Sequence, residues 1–173
     1  QRTEEFLRKV VSRIVGAIVD TLEETKKNFP AVKTALNREV RFITTQELLD
    51  RYPALTAHER ETAAAKEFGT VFLMNIGGAL SDGKPHDGRA PDYDDWSLNG
   101  DILFYDEVLG ESLEISSMGI RVDAEGLARQ LRIAGAEDRL EHDYHKMILA
   151  GELPLTVGGG IGQSRLCMLL LCR

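Results

Sequence analysis

The chain has 173 residues, 43% hydrophobic and 28% charged, which are the proportions of one globular domain rather than of a disordered tail, a collagen-like repeat or a disulfide scaffold. Twenty-one Lys and Arg against 28 Asp and Glu give a net charge of -7, the wrong sign for a nucleic-acid-binding stripe. The longest apolar run, from Leu166 to Cys172, is far short of the roughly 20 residues that span a bilayer, so no membrane partner is expected.

Taken in order, residues 2 to 28 carry Phe6, Val10, Ile14, Ile18 and Leu22 at helical spacing, with charged residues on the far side. Asn28-Phe-Pro30 ends that helix. Glu39 to Thr44 alternates like a strand. A short helix starting at Thr45 follows, with Thr45 as its polar cap, and it stops at Pro53. Thr56-Ala-His-Glu59 matches a capping box for a helix that runs to Phe68 and is closed by Gly69. Thr70 to Ile76 is a continuous apolar run, the pattern of a strand buried on both faces. Gly77 to Ser97 has neither period and reads as a long loop, of a length that is usually functional or disordered. Asp101 to Tyr105 and Ser112 to Ser116 flank a turn containing Gly110, which predicts an antiparallel hairpin. Asp123 caps a helix to about Ile133, and a further helix is expected over 137–150. Pro154 to Gly162 is a glycine-rich strand and turn, followed by a last, buried helix from Gln163 to Cys172. The two cysteines, Cys167 and Cys172, are expected to be buried thiols of a reducing compartment, the cytoplasm. With no basic stretch followed by an apolar one at the start, no secretory leader is expected. A start at Gln1 without methionine and an abrupt end at Arg173 lead us to expect a partial chain.

Three constellations can carry chemistry. The first is Gly158-x-Gly160-x-Gly162-x-x-Arg165. It fits neither the phosphate-loop pattern nor the dinucleotide fingerprint. Its glycines could let a ligand lie flat on bare backbone, with Arg165 meeting a phosphate or a base. A tight packing turn with a surface arginine is equally consistent. The second is Glu114-Ile-Ser-Ser117-Met-Gly-Ile-Arg121. On a regular strand Glu114 and Ser116 share a face, and a carboxylate beside a hydroxyl suits Mg²⁺. Arg121 could grip a carboxylate through two bonds, or an edge-strand Glu114 could simply pair with Arg121. The third is the acidic stretch from Ser81 to Trp96. Its spacing does not match a calcium-binding loop. His86 with Asp87 resembles a metal pair, or is a solvated histidine.

Ser81-Asp-Gly, Arg89-Ala-Pro-Asp-Tyr-Asp-Asp-Trp96, Leu98-Asn-Gly-Asp-Ile102, Ser116-Ser-Met-Gly-Ile-Arg-Val-Asp123 and Gly158-Gly-Gly-Ile-Gly-Gln-Ser-Arg165 closely resemble the ammonia-dependent asparagine synthetases, the aspartate–ammonia ligases. Gln46-Glu-Leu-Leu and Arg51-Tyr-Pro53 extend the match, which covers nearly the whole chain in order. The resemblance implies the α+β catalytic fold of class II aminoacyl-tRNA synthetases, an antiparallel sheet flanked by helices. The strands carrying Asp101 and Glu114 would be central and adjacent. It implies a single catalytic domain over 1–173 without the N-terminal part that holds the first two class II motifs, and a shorter loop where Ser97 meets Leu98. It further implies an enzyme that makes L-asparagine from L-aspartate, ammonia and ATP through β-aspartyl-AMP, releasing AMP and pyrophosphate. An aminoacyl-tRNA synthetase paralogue or a non-catalytic relative is the alternative. The site residues follow from the same resemblance. Arg165, Gly158, Gly160, Gly162, Asp101 and Glu114 would hold the nucleotide, and Glu114 and Ser117 would hold Mg²⁺. Arg121, Asp92, Asp94 and Ser116 would bind substrate, and Asp94, Arg89 and Arg121 would act in catalysis. The partners implied are aspartate, ATP, ammonia and a second copy in a homodimer, with no nucleic acid.

Overall fold

The computed structural model describes residues 1–171. Helix α1 (Glu4–Asn28) is capped by Thr3, whose hydroxyl accepts from Phe6 N–H, and it buries Leu7, Val11, Val15, Ile18, Val19 and Leu22 along one stripe. Strand β1 (Arg41–Thr44) leads into α2 (Thr45–Arg51). The cap of α2 is Thr44, one residue earlier than expected, and it closes a capping box with Glu47. Thr45 is instead buried, and its hydroxyl donates to Asn75 O at 2.9 Å. The expected capping box of Thr56 and Glu59 opens α3 (Ala57–Phe68), which ends at Gly69 with φ of 78°.

Strand β2 (Thr70–Met74) is buried at every position. The two sides of its apolar run serve different cores. Phe72 and Met74 face α1, whereas Val71 and Leu73 join Leu48 of α2 and Ala64 of α3. Strands β3 (Asp94–Asp106) and β4 (Glu111–Arg121) form the expected hairpin, both longer than the sequence pattern indicated. The long loop therefore ends at Tyr93 rather than Ser97. The stretch from Asp94 to Ser97 is polar but for Trp96 and irregularly paired, which hid the strand. Helix α4 (Ala124–Ile133) is capped by Asp123 as expected. The helix expected over 137–150 is broken into a 3-10 turn (Glu137–Glu141) and α5 (Asp143–Leu149), joined by His142 in an extended conformation. Strand β5 (Val157–Ile161) and α6 (Gln163–Leu171) complete the chain.

The sheet order is β1-β2-β3-β4-β5. All neighbours are antiparallel except β1 and β2, which run parallel and are joined through α2 and α3. The Asp101 and Glu114 strands are adjacent, and β3 is central, as expected. Helix α1 covers one face together with Leu169 and Leu170 of α6. Helices α2 and α3 cover part of the other, leaving its β4–β5 end for the site. Helix α6 is not buried as a whole: only Leu169 and Leu170 are, and Cys167 is exposed. That corrects the buried-thiol expectation for Cys167, because one side of α6 alone packs on the sheet. Cys172 lies outside the described residues. Among the described residues no helix is long and apolar enough to cross a membrane.

Candidate active site

One irregularity in β4 sets the site. Ile102 pairs with Ser116 and Leu103 with Glu114, so Ile115 is an extra residue, a β-bulge. Ile115 and Ser116 then both face α1, and Glu114 shares the opposite face with Ser117. The sequence expectation that Glu114 and Ser116 share a face fails for this reason. Ser116 is buried on the α1 side, away from the residues expected to bind substrate with it.

Glu114 and Ser117 belong to a compact polar cluster. The Ser117 hydroxyl donates to Asp101 at 2.6 Å, lies 3.3 Å from Glu114 Oε1 and accepts from Arg89 Nη1 at 2.7 Å. The other terminal nitrogen of Arg89 is bonded to Asp101. Arg165, in the first turn of α6, donates to Glu114 O at 3.1 Å and pairs with its carboxylate at 3.4 Å. Burial pushes the Asp101 carboxyl up to about 6, with Glu114 adding to the rise, although Arg89 and Ser117 favour the ionised form.

A second pair lies alongside. Arg121 is bonded to Asp94, donates to the Tyr93 hydroxyl at 3.0 Å and stacks 3.8 Å from the centre of that ring. Burial raises the Asp94 carboxyl above its ordinary value, and Arg121 only partly offsets this. The pairing of Glu114 with Arg121 that the sequence left open does not occur. Strand β4 lies between β3 and β5, Glu114 pairs with Arg165, and Arg121 pairs with Asp94. A pocket of 200 Å³ joins the two groups, lined by Arg89, Tyr93, Asp94, Ser117, Gly159 and Gly160 among others.

The glycines divide the two readings that their spacing left open. Gly158 and Gly160 lie opposite Gly119 and Ser117, on the site face. A Cβ on Gly158 would stand 2.7 Å from Arg121 Nη2, whereas one on Gly160 would meet nothing within 4 Å. Gly160 is bare floor. Gly159, between them, is a packing residue: its Cβ would fall 2.4 Å from that of Met118. A Cβ on Gly162 would make ordinary contact with Arg165.

Asp92 is turned away from both groups. It is bonded by His145 Nε2 and Arg139 Nη1, each at 3.2 Å. Burial opposes its ionisation, but these two bonds prevail and hold its carboxyl below the ordinary value. Asp95 serves the chain itself, pairing with Arg2 at 2.5 Å and accepting from Ser97 N–H at 3.0 Å. His86 is neither solvated nor joined to Asp87. It is buried and bonded to Glu61.

Sequence reasoning missed Tyr93 and Gln130. Buried Gln130 donates to Pro91 O and Asp94 O at 2.9 and 3.0 Å and accepts from Trp96 N–H at 2.8 Å. A lone amide on an amphipathic helix carries no signal of that task.

The site has three arginines, each held by an acid of the site, around an open glycine floor. Such an arrangement can receive phosphate and carboxylate groups while excess positive charge is masked. Comparisons with known proteins agree on the lineage. The family model of aspartate–ammonia ligases matches residues 1–173. The aspartate–ammonia ligase of Levilactobacillus brevis is 60% identical over 171 residues, covering 99% of this chain and 51% of the relative. That of Clostridium tetani is 56% identical over 170 residues, covering 98% and 50%. The chain therefore spans about half the length of these curated relatives. Among solved structures, an asparaginyl-tRNA synthetase from Entamoeba histolytica with asparaginyl-adenylate superposes with a TM-score of 0.65 at 16% identity, over 98% of this chain and 42% of that one. The aspartyl-tRNA synthetase of the same organism gives 0.62 at 19%, over 99% and 38%. At those identities the likeness speaks for the fold alone, which is that of class II synthetases, while the matches over the full chain place the sequence: it belongs to the aspartate–ammonia ligase family.

Proposed function

We propose that this chain forms the nucleotide- and aspartate-handling part of an enzyme that makes L-asparagine from L-aspartate, ammonia and ATP. The observation that carries the proposal is the set of three acid-held arginines around the Gly160 floor, in a chain of this family. The aspartate side-chain carboxylate attacks the α-phosphorus of ATP, and pyrophosphate leaves with the electrons of the broken P–O bond. Ammonia then attacks the carbonyl carbon of β-aspartyl-AMP, gives up a proton, and AMP departs.

The charges of the site fit those needs. Arg165 and Arg89 lie where phosphate oxygens would come over the glycine floor, stabilising charge that builds in the first step. Arg121, with a planar fork and an aromatic face beneath it, is suited to an aspartate carboxylate. When that carboxylate takes Arg121, Asp94 is released from its partner. A carboxylate with a raised proton affinity is suited to attract ammonium and to take a proton as nitrogen attacks.

The donor set fits Mg²⁺. Asp101, Glu114 and Ser117 present hard oxygens close together. Among the described residues no group of three or more His, Cys, Asp or Glu could hold a metal ion by itself. Bound there, Mg²⁺ would neutralise phosphate charge. A homodimer, a single catalytic domain and a cytoplasmic location complete the reading, on the family resemblance and the need for ATP.

The test is exchange of labelled pyrophosphate into ATP by the intact protein. Exchange should require aspartate, and asparagine should form in proportion to ammonium with glutamine inert. Cys167→Ser should leave ammonia-driven synthesis unchanged, since no thiol carries nitrogen. Absence of aspartate-dependent exchange, or efficient use of glutamine, would refute the proposal.

A further inference from the structure

Arg89 reaches the polar cluster from a loop with little packing of its own. Every residue from Ser81 to Gly88 is exposed except His86, whose side chain is 1% exposed. Its Nε2 lies 2.9 Å from Glu61 Oε1 on α3. Its Nδ1 is buried and meets no hydrogen-bond partner among the described residues, so the bond to Glu61 is the ring's one polar link. Before His86, Ser81 exchanges two 2.9 Å hydrogen bonds with half-buried Gln46, and the chain turns back through a bridge between Ala79 and Pro85. After Arg89, Gln130 grips Pro91 O. Between His86 and Pro91, the segment holds Arg89 and three residues whose one side-chain tie to the scaffold among the described residues is Trp96 Nε1 donating to Ala90 O at 3.4 Å.

We propose that His86, through Glu61, is a positioning residue that pins the Arg89 loop to α3. Arg89 thereby enters the cluster at one fixed angle. Two Arg89 nitrogens must meet Asp101 and Ser117 together, and a guanidinium displaced by about 1 Å loses that double contact. The second oxygen of Glu61 lies 3.9 Å from His58 Nδ1, beyond hydrogen-bond distance, and His58 Nε2 is 3.1 Å from Glu111, the first residue of β4. The anchor thus ties the loop to α3. The inference rests on the reading of Arg89 as part of the active site.

The test is a double-mutant cycle on the intact protein with a conformational readout beside it. His86→Ala should lower kcat/KM for aspartate-dependent pyrophosphate exchange by about 10- to 100-fold when Arg89 is present. In an Arg89→Ala background the same change should matter less than about twofold, because its effect passes through Arg89. His86→Gln retains an N–H donor for Glu61 and should recover most of the activity, which separates positioning from failure to fold. Trypsin should cut after Arg89 about tenfold faster in His86→Ala, as the loop opens. Equal losses in both backgrounds, or a His86→Ala protein with unchanged turnover and unchanged cleavage, would overturn the proposal. Faster cleavage in His86→Ala together with wild-type turnover in Arg89→Ala would uphold the anchor and instead remove Arg89 from the catalytic reading.

Discussion

Replacing Asp101 with Asn should make the protein more stable, and increasingly so as pH rises. The Asp101 side chain is only 8% exposed, and its carboxyl titrates near pH 6 in the fold against 3.8 for the free group. A carboxyl whose folded value lies above its unfolded value holds its proton more tightly when folded. It therefore costs the fold nothing below about pH 3.8, and its cost grows as pH climbs until it is complete above about 6. A gap of about 2 pH units at 1.36 kcal/mol each gives about 3 kcal/mol. Asn mimics the neutral form and keeps an acceptor oxygen for Arg89 and Ser117. Denaturant melts of wild type and Asp101→Asn from pH 4 to 8 should start nearly superimposed and separate to about 3 kcal/mol in favour of the variant. Turnover should fall over the same range, since a charged oxygen beside Ser117 is gone. A stability difference that is flat with pH, or a variant weaker than wild type at pH 8, would show that burial does not govern this carboxyl.

Arg121→Lys keeps the charge but not the fork or the stack on Tyr93, so the KM for aspartate should rise more than about tenfold while that for ATP changes little, measured by pyrophosphate exchange. Gly159→Ala forces a Cβ against Met118 and Ser117 O and should lose about 1–3 kcal/mol in denaturant melts. Gly160→Ala meets open space, so its stability should stay within about 0.5 kcal/mol of wild type while its KM for ATP rises. Gln130→Ala leaves Pro91 O, Asp94 O and Trp96 N–H without their partner and should cost about 1–3 kcal/mol, read by the same melts.

Much of this architecture is legible in the sequence where local rules decide. The stripe of α1, the capping box at Thr56, the cap at Asp123 and the doubly buried run of β2 all follow from period and cap chemistry. The polar start of β3 was not legible, because Asp94 and Asp95 find their partners in Arg121 and Arg2, far away in sequence. The helix over 137–150 failed for want of a local sign that the chain would straighten at His142. In the site, Arg89, Asp101, Glu114, Ser117 and Arg165 were named from motifs, but their mutual bonds depend on register. Asp92 and Ser116 were named on the same footing and face elsewhere. One carboxylate in an acidic run looks like another until its cation is known, and here His145 claims Asp92 from a separate helix.

The extra residue in β4 also shows what a regular ladder would cost. Suppose the strand were straightened into strict alternation while Ser117 kept its place. Ile115 would then point over the glycine floor, and Glu114 would turn toward Ile102, Phe104 and α1, in an apolar layer with no cation. Losing one ladder pairing is a modest expense beside several kcal/mol for burying an unpaired carboxylate. The kink is therefore the lower-energy state for this particular order of side chains, and a straight variant would need a new sequence on both sides of position 115. A chain that swapped residues 114 and 115 would suit the regular strand there, with its isoleucine toward α1 and its carboxylate still facing any phosphate that arrived.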